Sequence, residues 1–330
     1  MLILICGQFT SFGQTISDIL LSNGVCDSSG FCIRGIEGMP KPKGFEFRYR
    51  RIRDYDIKTK FQDEINSGKI DRNRETTVKL TLPVIRREHF ILALGGKYEV
   101  EEFRFENPSI NNSNFYSYLE DKPLRSMGLT AYLAQSLKGD KFLVGRVNTR
   151  LSGDVDRSKI SNYFRSTVSV IYGQKKSATV SWGAGITYNN TFGRQLILPV
   201  LTYNKRITKK LSARILLPVN FELNYMINEK NLLRWDNRLS GDNYYINSGP
   251  LAPQNLYLSK SDFFSTLTYE REVYDFIWVS ASLGYHINYK FDLSTTNKLL
   301  SADAPAISND IQNATSFQLS VFVVPPKKSK

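Results

Sequence analysis

Histidine and cysteine are scarce in this sequence, which has two histidines and three cysteines in 330 residues. So little histidine leaves almost no material for a metal centre or a histidine-activated nucleophile, and we expect no cofactor. Long apolar runs are also missing: none approaches the ~20 residues that a membrane-spanning helix needs, and the mean hydropathy is −0.31. These absences exclude a helical membrane protein and disfavour metal-based and histidine-based catalysis.

Basic residues outnumber acidic ones by 44 to 31, which gives a formal net charge of +13. This balance permits nucleic acid, anionic lipid head groups or acidic ligands as partners. The bases stand in ones and twos between apolar residues, without a zinc-finger, RNP-type or bZIP pattern. We therefore expect no nucleic-acid partner. The 12% of aromatic residues is too many for a disordered chain.

The first residues have features of an export signal. A short apolar stretch from Met1 to Cys6 precedes Ser11-Phe-Gly13, which places small residues at the −3 and −1 positions that signal peptidase reads. We predict a signal peptide over 1–13 and export across the inner membrane. A short buried N-terminal strand is the alternative, because the usual basic start of a signal is missing.

An irregular segment rich in glycine and proline follows over 14–43, and we expect it to lie outside the bilayer. Within it, Cys26 and Cys32 could close a small disulfide loop in an oxidising compartment. Two thiols without a nearby histidine are too few ligands for a metal site.

From about Gly44 to Val324 the sequence reads as one extended segment after another. In the clearest case, apolar residues at odd positions from Ile277 to Phe291 alternate with mostly polar or small residues at even positions. A two-residue period indicates a strand that buries one face only. The same period recurs over 78–84, 178–188, 219–227 and 317–323.

Strand length and connection length together indicate what covers the apolar face. Strands of soluble proteins usually run ~5–6 residues, whereas a tilted strand that crosses a bilayer needs ~9–11. The segments here run about 8 to 15 residues, and short links alternate with long ones, as in outer-membrane barrels. We therefore predict an all-β, transmembrane, antiparallel up-and-down β-barrel over 44–324, with a basic tail over 325–330.

The predicted barrel has about fourteen strands, with twelve as the alternative. Proline cannot donate to a ladder, so Pro218 is taken as a tight turn that divides the run from Leu211 to Asn228. The fourteen strands are placed near 45–57, 75–86, 89–103, 126–137, 141–152, 164–173, 177–188, 196–205, 210–217, 219–228, 231–240, 256–270, 275–291 and 312–324.

Charged residues gather on the predicted lumen face. The candidate pore-lining residues are Arg146, Arg150, Arg214, Glu222, Arg234, Asp236, Arg238 and His286. One interpretation is a basic constriction that favours anions; the other is that opposite charges pair inside a filled barrel.

Several short stretches resemble an uncharacterised outer-membrane β-barrel family, a domain of unknown function common in Bacteroidota. They are 196–203 (Leu-Ile-Leu-Pro-Val-Leu-Thr-Tyr), 216–218 (Leu-Leu-Pro), 221–225 (Phe-Glu-Leu-Asn-Tyr) and 241–244 (Gly-Asp-Asn-Tyr). The resemblance covers about 44–324 and implies an outer-membrane barrel, without assigning catalytic or binding residues. One departure is that Phe322 is followed by eight further residues, whereas barrel chains commonly end on an aromatic residue.

The sequence thus predicts a non-enzymatic protein of the Gram-negative outer membrane, in contact with its lipids and lipopolysaccharide. Its expected role is a passive pore for a small solute, or a structural or accessory membrane component. One alternative is a lipid-acting hydrolase that uses His286, which shares the predicted lumen face with Ser282. The other alternative is a soluble all-β binding module. The residues identify no solute and no partner subunit.

Overall fold

The computed structural model describes residues 39–40, 42–62, 64–106, 115–154, 160–189, 196–247, 256–295 and 305–324. The predicted signal peptide, the cysteines Cys26 and Cys32 and the basic tail lie outside the described residues. In the part that is described, sixteen strands form one sheet, and neither of two short helices is long and apolar enough to cross a membrane.

The elements follow one another along the chain with these bounds. The strands are β1 Phe45–Ile52, β2 Tyr55–Phe61, β3 Glu64–Arg86, β4 Phe90–Phe105, β5 Leu124–Leu137, β6 Lys141–Gly153, β7 Phe164–Ser177, β8 Val180–Asn189, β9 Leu196–Arg206, β10 Leu211–Leu217, β11 Asn220–Asn228, β12 Asn231–Ile246, β13 Leu256–Tyr274, β14 Ile277–Ser294, β15 Ile307–Ile311 and β16 Ala314–Val323. The helices are α1 Phe115–Asp121, between β4 and β5, and α2 Ile160–Tyr163, between β6 and β7.

The sixteen strands occupy fourteen positions around a closed antiparallel barrel. Two residues interrupt each of two otherwise continuous strands: β1 and β2 both pair with β3, and β15 and β16 both pair with β14. Pairing of β1 with β16 and of β2 with β15 closes the barrel. The predicted fold class and fourteen strands are therefore confirmed.

Most predicted strand boundaries agree with the structure to within a few residues. The break at Pro218 is confirmed, since β10 ends at Leu217 and β11 begins at Asn220. The largest difference is the predicted link over 58–74, which is instead the β2–β3 hairpin. The outward face of this hairpin is charged, at positions such as Asp56 and Lys58, so the apolar-outward alternation used for the prediction is absent there.

The outer surface carries a belt of exposed apolar side chains. Leu129, Ile197 and Leu283 are 69%, 69% and 68% exposed, and most of the side chains predicted to face outward do so. A soluble protein would have to leave this contiguous surface in water, whereas hydrocarbon covers it at no cost. The molecule is therefore a transmembrane barrel, and a soluble all-β module does not fit it.

A bulge in β14 reverses the alternation near one end of the barrel. Asn288 pairs with Asp262 and Lys290 pairs with Ser261, so Tyr289 has no residue opposite it. Such an extra residue exchanges the two faces of the strand beyond it. The prediction that Phe291 faces outward is therefore wrong: Phe291 and Leu293 are buried inside the barrel.

The barrel narrows toward the end that carries the longer links, which we call the long-loop end; the other is the short-turn end. Strands β10 and β11 have only 7 and 9 residues. From Leu239 toward the long-loop end, strand β12 therefore has no ladder partner on β11. Instead, Tyr245 of β12 pairs in parallel with Gly153 of β6. This pairing closes a second, smaller ring at the long-loop end, made of β6, β5, β4, β3, β2, β15, β14, β13 and β12.

Candidate functional site

The lumen is the candidate site, and apolar clusters lie at both of its ends. At the long-loop end a mouth cluster joins α1 to the narrowed ring, with Phe105 stacked on Tyr116 at 4.5 Å between ring centroids. At the short-turn end a floor cluster includes Tyr132, Phe142 and Ile171. The alternation predicted a polar inward face, but this face is apolar at both ends of the lumen. Charged side chains occupy the space between the two clusters.

Hydrogen bonds fix the elements that close the mouth. The Tyr116 and Thr59 hydroxyl oxygens lie 2.6 Å apart, which ties α1 to β2. The carboxylate of Asp154 accepts hydrogen bonds from Tyr118 at 2.8 Å and from Tyr163 at 3.0 Å. These contacts attach both helices to the end of β6, beside β12, which leans across the opening.

The part of β12 nearest the long-loop end is held against β6 and β7 by polar and aromatic contacts. Arg165 donates to Asn243 at 2.8 Å, and Arg150 pairs with Asp242. The rings of Tyr163 and Tyr245 meet edge to face at 4.9 Å. The mouth is thus closed by wall strands, by α1 and by the residues that follow β6.

A central cavity lies inside the barrel. Basic and acidic side chains line it in equal numbers. They are Arg48, Arg50, Lys79, Lys97, Arg238 and Lys260, against Glu46, Glu75, Glu99, Glu101, Asp242 and Asp262. Arg50 lies 2.8 Å from Glu75, and Lys97 lies 2.6 Å from Glu99. The charges of this cavity therefore largely satisfy one another.

A chain of six alternating charges runs along the lumen toward the short-turn end, and we call it the charge chain. Its members in order are Arg214, Glu222, Arg234, Glu270, Lys43 and Glu46. The successive N···O distances are 3.7, 3.9, 3.3, 3.0 and 3.1 Å. Lys43 also lies 3.8 Å from the centre of the Phe322 ring. The end of the segment predicted over 14–43 thus contributes a side chain to the lumen.

A second cavity, the basic chamber, adjoins the first and shares Lys79 and Lys97 with it. Cationic side chains line it together with polar neutral residues and glycines, and none of the lining residues is acidic. Apart from Leu80 and Gly96 of the outward rows, the lining residues are Lys79, Lys97, Arg146, Arg150, Thr81, Ser126, Thr130, Tyr132, Asn148, Gly95 and Gly128.

The eight predicted pore-lining side chains all lie on the inward face, but they do not form one ring. Arg214, Glu222 and Arg234 belong to the charge chain, with Asp236 buried beside them on β12. Arg238 is half-buried at the central cavity, and Arg146 and Arg150 line the basic chamber.

Several charged lumen residues of β1 and β13 were not predicted, among them Arg48, Arg50 and Lys260. Arg48 and Arg50 do alternate with Phe45, Phe47 and Tyr49, so a period-two signal was present in the sequence. The basic residues Arg50, Arg51 and Arg53, which lie on both faces of the chain around Ile52, obscured it.

His286 is buried in the lumen, with 2% of its surface exposed. Its Nε2 lies 2.7 Å from Asp262 Oδ1, and its ring stacks on Phe264 at 4.6 Å between centroids. Ser282 accepts a hydrogen bond from Thr268 at 2.9 Å. The histidine is therefore held by a carboxylate and an aromatic ring, away from the lipid-facing surface where a lipid hydrolase meets its substrate. Over the described ranges, no group of three or more potential ligands is arranged to hold a metal ion.

Together these features define a transmembrane β-barrel with a charged lumen and a closed mouth. The chain belongs to the family described as a domain of unknown function, DUF6268, whose model matches residues 102–322. No curated protein matches it.

Several solved barrels show a distant likeness in fold. A FadL homologue from Pseudomonas aeruginosa is 10% identical with a TM-score of 0.47, covering 86% of this chain and 91% of its own. The toluene transporter TodX from Pseudomonas putida is 8% identical with a TM-score of 0.36, covering 87% and 91%. The KdgM porin, solved with disordered oligogalacturonate, is 6% identical with a TM-score of 0.35, covering 85% and 99%.

Proposed function

We propose that the protein is a channel for small solutes in the Gram-negative outer membrane, closed at its mouth in the conformation described. The observation that carries the proposal is the lumen itself, in which two adjoining cavities are lined by charged and hydroxyl side chains inside a lipid-facing barrel. A purely structural barrel has no need to keep such space among buried charges, which are costly to desolvate.

The outer surface supports placement in the outer membrane. Closed antiparallel barrels with an even number of strands, short turns on one side and longer links on the other are typical of that membrane. Exposed aromatic residues such as Tyr172, Trp182, Tyr203 and Tyr225 lie within a few residues of the short turns, where an interfacial girdle is expected. The short-turn end would then face the periplasm. The belt would contact membrane lipids, and the long-loop end would stand among lipopolysaccharide.

A second candidate is a structural or accessory barrel, which the two packed apolar clusters favour. Single-channel recording in planar bilayers distinguishes the two functions. For a channel we expect discrete current steps that begin and end as the mouth opens and closes. A barrel that shows heat-modifiable gel migration, and is therefore folded, but stays silent at every applied voltage would be a structural component.

The enzymatic alternative predicts a loss of activity when His286 is replaced. We expect the His286→Ala variant to hydrolyse phospholipid in mixed micelles at the same background rate as the parent, because this histidine is enclosed between Asp262 and Phe264. If the parent hydrolysed phospholipid faster than buffer alone and the variant did not, the protein would be a lipid hydrolase. Heat-modifiable migration of both proteins controls for folding.

A further inference from the structure

We infer that the basic chamber binds a small hydroxylated carboxylate, and that this class of organic anion is the solute of the channel. The inference rests on the proposed function and specifies it. It is carried by the order of side chains across four neighbouring strands, by the charge of the chamber, and by polar groups that the described protein leaves without partners.

Cross-strand pairing arranges the lining residues in adjacent rows. One row runs Lys79, Lys97, Gly128, Arg150 across β3, β4, β5 and β6. The next inward row on the same strands runs Thr81, Gly95, Thr130, Asn148. A cationic row therefore lies directly beside a row of hydroxyl and amide groups. This order suits a ligand with a carboxylate at one end and hydroxyl groups along its length.

The cationic row concentrates positive charge on this side of the lumen. Lys79 and Lys97 are directly opposite on neighbouring antiparallel strands, and like charges in that position destabilise a sheet. The acidic partners of Lys97 and Arg150 are Glu99 and Asp242, which line the central cavity and not the chamber. The chamber wall itself thus contributes only positive charge, which attracts an anion strongly where water is limited.

Individual donors lie buried in the wall beside this space. Arg150 Nη2 and Thr81 Oγ1 are buried without a hydrogen-bond partner in the described part of the chain. The Thr130 hydroxyl oxygen accepts a bond from Asn148 Nδ2 at 2.6 Å, which leaves the Thr130 proton for another acceptor. A guanidinium group binds carboxylate oxygens in a fixed geometry, and hydroxyl groups of a ligand can use the two threonines.

Two glycines stand in the rows at positions where a side chain would be crowded. Gly95 and Gly128 occupy inward positions in the middle of the two rows. A Cβ atom at Gly128 would lie 3.1 Å from Arg150 Cβ, and one at Gly95 would lie 3.2 Å from the Leu80 carbonyl oxygen. A side chain at either position would therefore press on the neighbouring strand.

Isothermal titration calorimetry of the full chain, folded in detergent micelles, tests the inference. The probes are sodium D-glucuronate, its neutral counterpart D-glucose, and sodium phosphate. We expect saturable binding of glucuronate, weaker binding of phosphate and none of glucose. Equal affinity for glucose would overturn the charge argument, and phosphate binding as tightly as glucuronate would overturn the assignment to hydroxylated carboxylates.

Variants locate the site. Arg146 lies on the same face of β6 as Arg150, and loss of a charge-assisted hydrogen bond weakens binding about tenfold or more. We expect this loss of glucuronate affinity in Arg146→Gln and a smaller loss in Thr81→Val. Arg125→Gln is the matched control, because Arg125 is exposed on the outward face of β5. Unchanged affinity in folded Arg146→Gln would refute the site. Calorimetry needs no conduction, so a silent barrel that binds glucuronate would refute only the channel.

Discussion

Replacing Gly153 with valine is expected to open the mouth of the barrel. Gly153 is the residue of β6 that Tyr245 of β12 reaches. A Cβ atom there would lie 2.2 Å from the Tyr245 carbonyl oxygen and 2.6 Å from Tyr163 Cδ1. The first of these atoms is backbone, so β12 has to move away from β6. The hydrogen bond from the Asp154 amide to the Tyr245 carbonyl, 3.2 Å long, would be lost with it.

Single-channel recording measures this effect. Each ~1.4 kcal/mol removed from the closed state raises the ratio of open to closed molecules about tenfold, so we expect a rise in open probability of at least that order. Gly96→Val is the matched control, since Gly96 is also a strand glycine and nothing lies within 4 Å of its added Cβ. If Gly153→Val behaved like Gly96→Val, the β6–β12 contact would not be the closure.

Replacing Glu222 with leucine is expected to destabilise the whole barrel. Glu222 is completely buried, and its Oε1 lies between Arg214 and Arg234 and accepts a hydrogen bond from Asn224 at 2.6 Å. Removing one member of a buried charge network leaves the others uncompensated in a medium of low dielectric constant, which costs about 3–5 kcal/mol. Urea unfolding in micelles, followed by tryptophan fluorescence, measures the change in the free energy of unfolding.

Two variants control this measurement. Glu222→Gln keeps a group that can accept the Asn224 bond and removes only the charge, so it should fall between the parent and Glu222→Leu. Asp54→Asn removes half of a solvent-exposed pair with Lys69, in which the charged groups lie 3.3 Å apart. We expect no measurable change there. Equal destabilisation by Glu222→Leu and Asp54→Asn would contradict a structural role for the charge chain.

Much of the fold could be predicted because alternation is a local property. The segments over 178–188 and 317–323 show which face meets lipid, and Pro218 marks a turn because proline cannot complete a ladder. The bulge at Tyr289 could not be predicted, since one extra residue leaves the composition unchanged and exchanges the faces beyond it. The pairing of Tyr245 with Gly153 joins strands distant in sequence, and no local pattern reports it.

The candidate site was predicted less completely than the fold. The two-residue period placed Arg150, Arg234 and His286 on the inward face, where the structure has them. It could not show which charged residues are neighbours. The central cavity is lined by as many acidic as basic residues, whereas the basic chamber is lined by no acidic residue. That difference depends on the register of β3 to β6, and register is fixed by the whole sheet rather than by any one segment.

The nine-strand ring has a further consequence. About eight strands enclose a space that side chains alone can fill, so a barrel that tapers to nine strands needs no detachable stopper. The strands that narrow the mouth are then part of the barrel wall, and they cannot be moved aside without separating strands that also hold the protein together. Conditions that loosen the strand framework, such as raised temperature or mild denaturant, should therefore increase leakage well before unfolding.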